Sequence, residues 1–213
     1  MPRASLAAAI NDVAERDPVL ANLVGLVGSI THRPRDPDGH FGALVRAIVF
    51  QQLAGRAARA IHERVRAAVQ GNLTPEALAG VPDQTLRAAG LSGAKLASLR
   101  DLSAKVRDGS VVLDRPSKLS DDEVVADLTT VRGIGRWTAE MYLMFELRRL
   151  DVWPVDDLGV RQGYGLAWRL ETAPSAKELA PLGERFRPFR SVVARYCWEA
   201  VALYRGGTEP SLR

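Results

Sequence analysis

Val131-Arg132-Gly133-Ile134-Gly135-Arg136-Trp137-Thr138-Ala139 is the stretch that decides the fold. Ahead of it, residues 121–130 form a short amphipathic segment with Val124, Val125 and Leu128 on one side. Behind it, residues 136–150 form a longer apolar segment. That spacing predicts two helices joined by Gly-Ile-Gly. Glycine reaches φ > 0 and has no Cβ, so the backbone there can turn tightly and come close to another molecule. The turn also opens a helix, whose first N–H groups have no partner within the helix and suit an anion. Such an arrangement grips a nucleic-acid phosphate without reading sequence. A lone Gly-x-Gly also serves as a plain turn between packed helices, so the motif needs support from its surroundings.

That support lies downstream, where Asp151-Val152-Trp153-Pro154-Val155-Asp156-Asp157 follows the apolar segment. Gly-Ile-Gly-x-x-Thr-Ala, an apolar helix, then Pro-Val-Asp together resemble the helix-hairpin-helix (HhH-GPD) DNA glycosylase superfamily, whose members excise damaged bases. Gly-Ile-Gly-Arg-Trp-Thr-Ala with the Asp-Asp pair is most similar to its alkylated-purine branch, the 3-methyladenine DNA glycosylase II (AlkA-like) type.

The rest of the chain reads as all-α. Apolar residues at helical spacing predict two helices within residues 5–27, broken at Pro18, and further helices over 41–52, 56–70, 82–89, 94–106 and 191–204. Thr74-Pro75 is a helix start. Ser120-Asp121-Asp122-Glu123 and Ser175-Ala176-Lys177-Glu178 are capping boxes. Residues 32–39, with two prolines and a glycine, read as a loop and a domain crossing. No alternating strand pattern, repeat or low-complexity segment is present.

Composition sets outer bounds. The chain has 213 residues, 46% hydrophobic and 25% charged, as expected of one domain or two small ones in a soluble protein. Net charge is +4, and only four of the 29 basic residues are lysine: Lys95, Lys105, Lys118 and Lys177. Arginine suits bidentate phosphate contacts, although a GC-rich genome encodes the same bias. The single cysteine, Cys197, excludes an internal disulfide framework and a Cys-rich cluster, and His32, His40 and His62 lack metal-ligand spacing. The first residues show no signal-peptide pattern, and no run of about 18 apolar residues exists, so a cytoplasmic, nucleoid-associated protein is expected.

Taken residue by residue, the resemblance covers most of residues 41–204. It implies two helical subdomains flanking a cleft: 35–149, carrying the hairpin, and 1–34 with 150–213, carrying the catalytic Asp. It also implies a compact form without an N-terminal β domain. Asp157 is the implied catalytic carboxylate, an anion that stabilises positive charge on the sugar as the N-glycosidic bond breaks. Its neighbour Asp156 is then expected to cap the following helix; the residue types alone do not separate the two. Trp137 stands where bifunctional members carry a Schiff-base lysine, which predicts water as the nucleophile. Trp137 and Trp198 offer π faces to a cationic methylated purine. Trp153 is placed in the same pocket wall, and Met141 stands where other members have a tyrosine, with Tyr142 beside it. Leu53 matches the wedge that fills the gap left by a flipped nucleotide, and Gln52 the residue contacting the opposite base. Arg132, Gly133, Ile134, Gly135, Arg136 and Arg190 complete the expected DNA contacts. No metal is required for chemistry; a monovalent cation on the carbonyls of Thr129, Val131 and Ile134 is expected at the hairpin.

The expected activity is removal of alkylated purines, such as 3-methyladenine and 7-methylguanine, from double-stranded DNA by a monomer, leaving an abasic site. Two other readings compete. A non-catalytic helix-hairpin-helix module explains Gly133 and Gly135 but not Trp137, Asp157 and Trp198 together. A bifunctional lyase of the endonuclease III kind expects a hairpin lysine and usually a four-cysteine cluster, and both are absent.

Overall fold

The computed structural model describes residues 4–113 and 118–205, and among these it is all-helical. The parts of the second expected subdomain at 1–3 and 206–213 lie outside the described residues. Local signals set most helix starts. Ser5, Asp17, Thr74, Ser92, Ser120, Asp157 and Ser175 each accept a hydrogen bond from a first-turn N–H through the side chain. Caps of this kind contribute about 1 kcal/mol each. Both predicted capping boxes are closed. Among the described residues no helix is long and apolar enough to cross a membrane.

The chain forms two compact units, Met1–Arg33 with Arg148–Arg213, and Pro34–Leu147. The first contains α1 (Leu6–Arg16), α2 (Pro18–Val27), α10 (Leu158–Ala167), α11 (Ala176–Leu182) and α12 (Arg190–Arg205). Its core is built from Ile10, Val13, Leu20, Leu23, Val160, Phe186, Val193 and Tyr196, all almost fully buried. Asp17 is shared inside it: Oδ1 caps α2, while Oδ2 accepts from Trp168 Nε1 and pairs with Arg185.

The second unit contains α3 (Gly39–Phe50), α4 (Gly55–Ala68), α5 (Pro75–Gly80), α6 (Asp83–Ala88), α7 (Gly93–Arg107), α8 (Asp121–Thr129) and α9 (Arg136–Met141). Leu44, Val45, Ile48, Leu78, Leu99, Leu102, Leu128 and Leu143 fill its core. The apolar run after the hairpin is not one α-helix to residue 150. After Met141 it widens into a turn of π-helix, Tyr142–Glu146, closed by Leu147 N–H on the Tyr142 carbonyl at 3.0 Å. Buried Glu146 on this turn meets His40 Nδ1 at 3.2 Å and the Asp36 N–H at 3.4 Å, an anchorage that sequence periodicity does not report.

The α10–α12 crossing shows how closely the first unit is packed. A Cβ on Gly163 would lie 1.8 Å from the Cys197 carbonyl oxygen, so the two backbones touch there. No rotamer relieves a backbone clash, so Gly163→Ala is expected to cost about 3 kcal/mol or more. That corresponds to a melting temperature lowered by roughly 6–12 °C. Gly25→Ala is the control: it sits within α2, with nothing within 4 Å of the added carbon. It is expected to hold or raise the melting temperature, because alanine favours the helix by up to about 1 kcal/mol. Thermal unfolding of both variants checks this.

Candidate functional site

Pro154 to Asp157 forms a tight turn, in which the Asp157 N–H donates to the Pro154 carbonyl at 3.0 Å, and the turn delivers Asp157 to the start of α10. Asp157 is the N-cap residue, 9% exposed. Its Oδ1 accepts from the Val160 N–H at 2.7 Å and from Trp198 Nε1 at 2.9 Å. This corrects the expectation that Asp156 caps the helix: Asp156 is exposed, and the cap is the buried carboxylate itself. The helix start is an electropositive place for a carboxylate, and the indole N–H adds a second donor to the same oxygen.

Trp198 reaches Asp157 because α10 carries glycine at 159 as well as at 163. A Cβ at 159 would stand 2.8 Å from Trp198 Cδ1 and 3.1 Å from Asp157 Oδ1. Cys197, the residue before Trp198, is fully buried. Burial, and secondarily the negative charge of Asp157, push its thiol far above the usual range. It is therefore a packing residue rather than a nucleophile.

Two expected site residues of this unit are committed elsewhere. Trp153 is buried, with Nε1 donating to the Leu179 carbonyl at 3.0 Å and its ring edge-on to Tyr164. It also fills the space over Gly183, where a Cβ would meet it at 2.4 Å. Trp153 is a core residue, not a pocket wall. Arg190 was expected on a phosphate, but its guanidinium forks onto Asp151 at 2.8 and 3.0 Å and reaches Glu184 at 3.2 Å, with its side chain 13% exposed. It fixes the start of α12 against the segment that leads to Asp157.

In the second unit α8, the turn and α9 form the hairpin. Val131 and Ile134 are buried beneath it, while Arg132, Gly133, Gly135, Arg136 and Trp137 are exposed, Trp137 at 48%. The two glycines are there for different reasons. Gly133 has φ +79°, and a Cβ would meet Ser98 Oγ at 2.5 Å, so the protein itself requires glycine. Gly135 has φ −92° and nothing within 4 Å of a Cβ. Nothing inside the chain requires glycine there; close approach by another molecule would. The Arg132 N–H donates to Asp101 Oδ2 at 2.7 Å, and Arg136 pairs with buried Glu140 at 3.0 Å. Met141 is half-buried and Tyr142 is buried.

Gln52 and Leu53 lie in the turn between α3 and α4. Gln52 is left-handed at φ +55°, a conformation that costs a non-glycine residue about 1–2 kcal/mol. Leu53 is 39% exposed at the tip. A strained turn that holds an apolar side chain towards solvent is poor for stability and suits insertion into a base stack.

Residues 45–188 match the HhH-GPD superfamily of base excision DNA repair proteins. The chain belongs to that superfamily. This HhH-GPD chain is 35% identical over 185 residues to DNA-3-methyladenine glycosylase 1 of Schizosaccharomyces pombe, spanning 85% of this chain and 81% of that protein. Its structure is similar to that of the Schizosaccharomyces pombe 3-methyladenine DNA glycosylase Mag1 in complex with abasic DNA, with TM-score 0.79, 33% identity, and 94% and 99% of the two chains covered. It is also similar to a DNA-3-methyladenine glycosidase of Bacillus halodurans, with TM-score 0.85, 33% identity, and 93% and 91% covered.

The unlike glycines give a direct test. Gly133→Ala is expected to lower the melting temperature by roughly 4–8 °C, from about 2 kcal/mol of backbone strain and crowding. Gly135→Ala is expected to leave melting within about 2 °C of the parent, since its surroundings are open, yet to weaken binding to a DNA duplex several-fold. Equal effects of the two substitutions on both measurements would show that the hairpin glycines do one job.

Proposed function

We propose that this HhH-GPD protein is a monofunctional DNA glycosylase that hydrolyses the N-glycosidic bond of alkylated purines of the 3-methyladenine and 7-methylguanine type, leaving an abasic site. The observation that carries the reading is the Asp157–Trp198 pair: a buried carboxylate held by the N–H of an indole. The names of its relatives, which are 3-methyladenine glycosylases, support the substrate class.

In this reading the 131–135 hairpin takes a phosphate of the damaged strand, and Leu53 fills the gap left by the extruded nucleotide. Gln52 faces the opposite base, and Arg132 and Arg136 add charge along the backbone. Trp137 and Trp198 are the indoles that would stack on the purine, and Met141 would offer it an apolar contact. Stacking a cationic base on an indole contributes about 0.5–2 kcal/mol, a preference over a neutral purine of roughly 2- to 30-fold. That is too small to be the whole selectivity. The rest comes from the bond itself: an alkylated purine leaves as a neutral base, so no general acid is needed, and one carboxylate suffices. Asp157 stabilises the charge that builds on the sugar and orients the water that completes the step.

A monovalent cation at the carbonyls of Thr129, Val131 and Ile134 would add positive charge beside the phosphate. Neutral carbonyl oxygens suit such an ion, and the Val131 carbonyl, which accepts from the Ile134 N–H at 3.0 Å, keeps a second lone pair. The ion would take no part in bond cleavage. One duplex gripped by one chain makes a monomer the working unit.

Asparagine keeps a side-chain oxygen and caps helices as well as aspartate, so Asp157→Asn preserves the start of α10 while removing the charge. Its release of methylated bases is expected to fall by at least about 10²–10³-fold, the cost of losing one transition-state partner. Binding to an abasic duplex should persist. Base release at the parent rate would remove Asp157 from the chemistry. Borohydride is expected to trap no covalent complex with abasic DNA; a trapped complex would restore the lyase reading.

A further inference from the structure

Helix α7 presents Lys95, Ser98, Asp101 and Lys105 at spacings of three, three and four, which places them on one stripe. Every member of the stripe meets the hairpin or the wedge-bearing turn. Lys95 Nζ donates to the carbonyls of Val49 at 2.6 Å and Gln51 at 2.8 Å, where α3 ends and the turn begins. Ser98 Oγ occupies the space beneath Gly133. Asp101 Oδ2 accepts from the Arg132 N–H at 2.7 Å and from Lys105 Nζ at 3.1 Å, and Lys105 also donates to the Thr130 carbonyl. Gln51 then joins the two loops directly, its Nε2 donating to the Gly133 carbonyl at 2.9 Å across 82 residues of sequence.

We propose that Gln51 and Lys95 are positioning residues that fix the distance between the turn at Gln52 and Leu53 and the 131–135 hairpin, so that wedge and phosphate clamp engage the duplex in register. The proposal rests on the wedge and clamp roles given above. Its physical basis is the tolerance of the task. Successive nucleotides on one strand are separated by about 3.4 Å along the helix axis, so a slip of 1 Å is nearly a third of a step. The turn is not rigid by itself. The C-cap of α3, Gln51, is extended at φ −53° and ψ 129°, and the next residue is left-handed. An ammonium on the last carbonyls of α3 supplies the cap and suits the negative end of the helix. Burial disfavours that charge and pulls the Lys95 pKa down, so the two carbonyl bonds are what make the placement tenable.

The test is a double-mutant cycle in the full chain, read by single-turnover release of 7-methylguanine from a duplex carrying one such base. Gln51→Ala, which removes one hydrogen bond, is expected to slow release about tenfold, and Lys95→Met, which removes two, at least as much. Lys95→Arg, which still reaches both carbonyls, should keep more than half the rate. In a Leu53→Ala background, Gln51→Ala should cost less than about twofold further, because the wedge it positions is gone. A merely structural role predicts the same loss in both backgrounds, tracking a lowered melting temperature. That result, or no loss from Gln51→Ala alone, overturns the proposal. If Lys95→Met does not fold, the Gln51 cycle decides by itself. If Leu53→Ala releases base at the parent rate, the wedge role and this proposal fall together, while Asp157→Asn still reports separately on the catalytic reading.

Discussion

One carboxylate oxygen with two donors is the constraint on which the first unit turns. Asp157 Oδ1 closes the first turn of α10 and receives the Trp198 indole N–H. A buried anion is costly unless its hydrogen-bonding capacity is met, and here a helix start and an indole meet part of it. The arrangement requires α10 and α12 to approach until their backbones touch at Gly163 and Cys197. Side chains cannot drift where main chains are in contact, so the oxygen is placed by the least adaptable contact in the unit. In the proposed reading stability and chemistry share an atom: the carboxylate that starts a helix would also be the charge offered to the sugar.

The second unit achieves precision differently. The hairpin and the Gln52–Leu53 turn lie at the surface; Val131 and Ile134 are buried beneath the hairpin, while Gly135, Trp137 and Leu53 are exposed, as the proposed contacts with DNA require. They are held by charge-assisted hydrogen bonds from α7 to backbone carbonyls and an N–H, contacts that take directional strength from an ionised partner. Such a ledge fixes a loop without covering it. A packed apolar lid would have fixed it equally well and removed the surface that has to meet DNA. The exposed leucine and the left-handed glutamine are local strain at one turn, for which the proposed wedge role supplies a reason.

How much of this was legible in the sequence follows from the range of each interaction. Caps, capping boxes and the glycine turn are encoded within four residues of one another, and they set the helix starts and the hairpin. The polar stripe of α7 was present as Lys95, Ser98, Asp101 and Lys105 at helical spacing, but its meaning depends on carbonyls of residues 49, 51 and 130, which no local pattern announces. Arg190 and Trp153 failed as site residues for the same reason. An arginine looks alike on a phosphate or on Asp151, and a tryptophan looks alike in a pocket or against Tyr164. The Asp156–Asp157 pair divides differently from the expectation, because the buried Asp157, and not Asp156, caps α10, and residue type alone does not say which of two adjacent aspartates faces inward.

The lysines bear on the identity of the nucleophile. An amine attacks a sugar carbon only through a free lone pair. Trp137 removes the amine from the hairpin position where a lyase would place one. Two lysines touch the hairpin or the turn that carries Leu53, and both hold protons that donate to backbone oxygens: Lys95 to Val49 and Gln51, Lys105 to Thr130. Burial lowers the Lys95 pKa, which in isolation would describe an activated amine. Its geometry argues the other way, because losing that proton would leave a neutral amine, a weaker donor, for the carbonyls that end α3, and would loosen the turn that presents Leu53. Burial makes this lysine responsive to its partners rather than reactive, in keeping with the proposed attack by water.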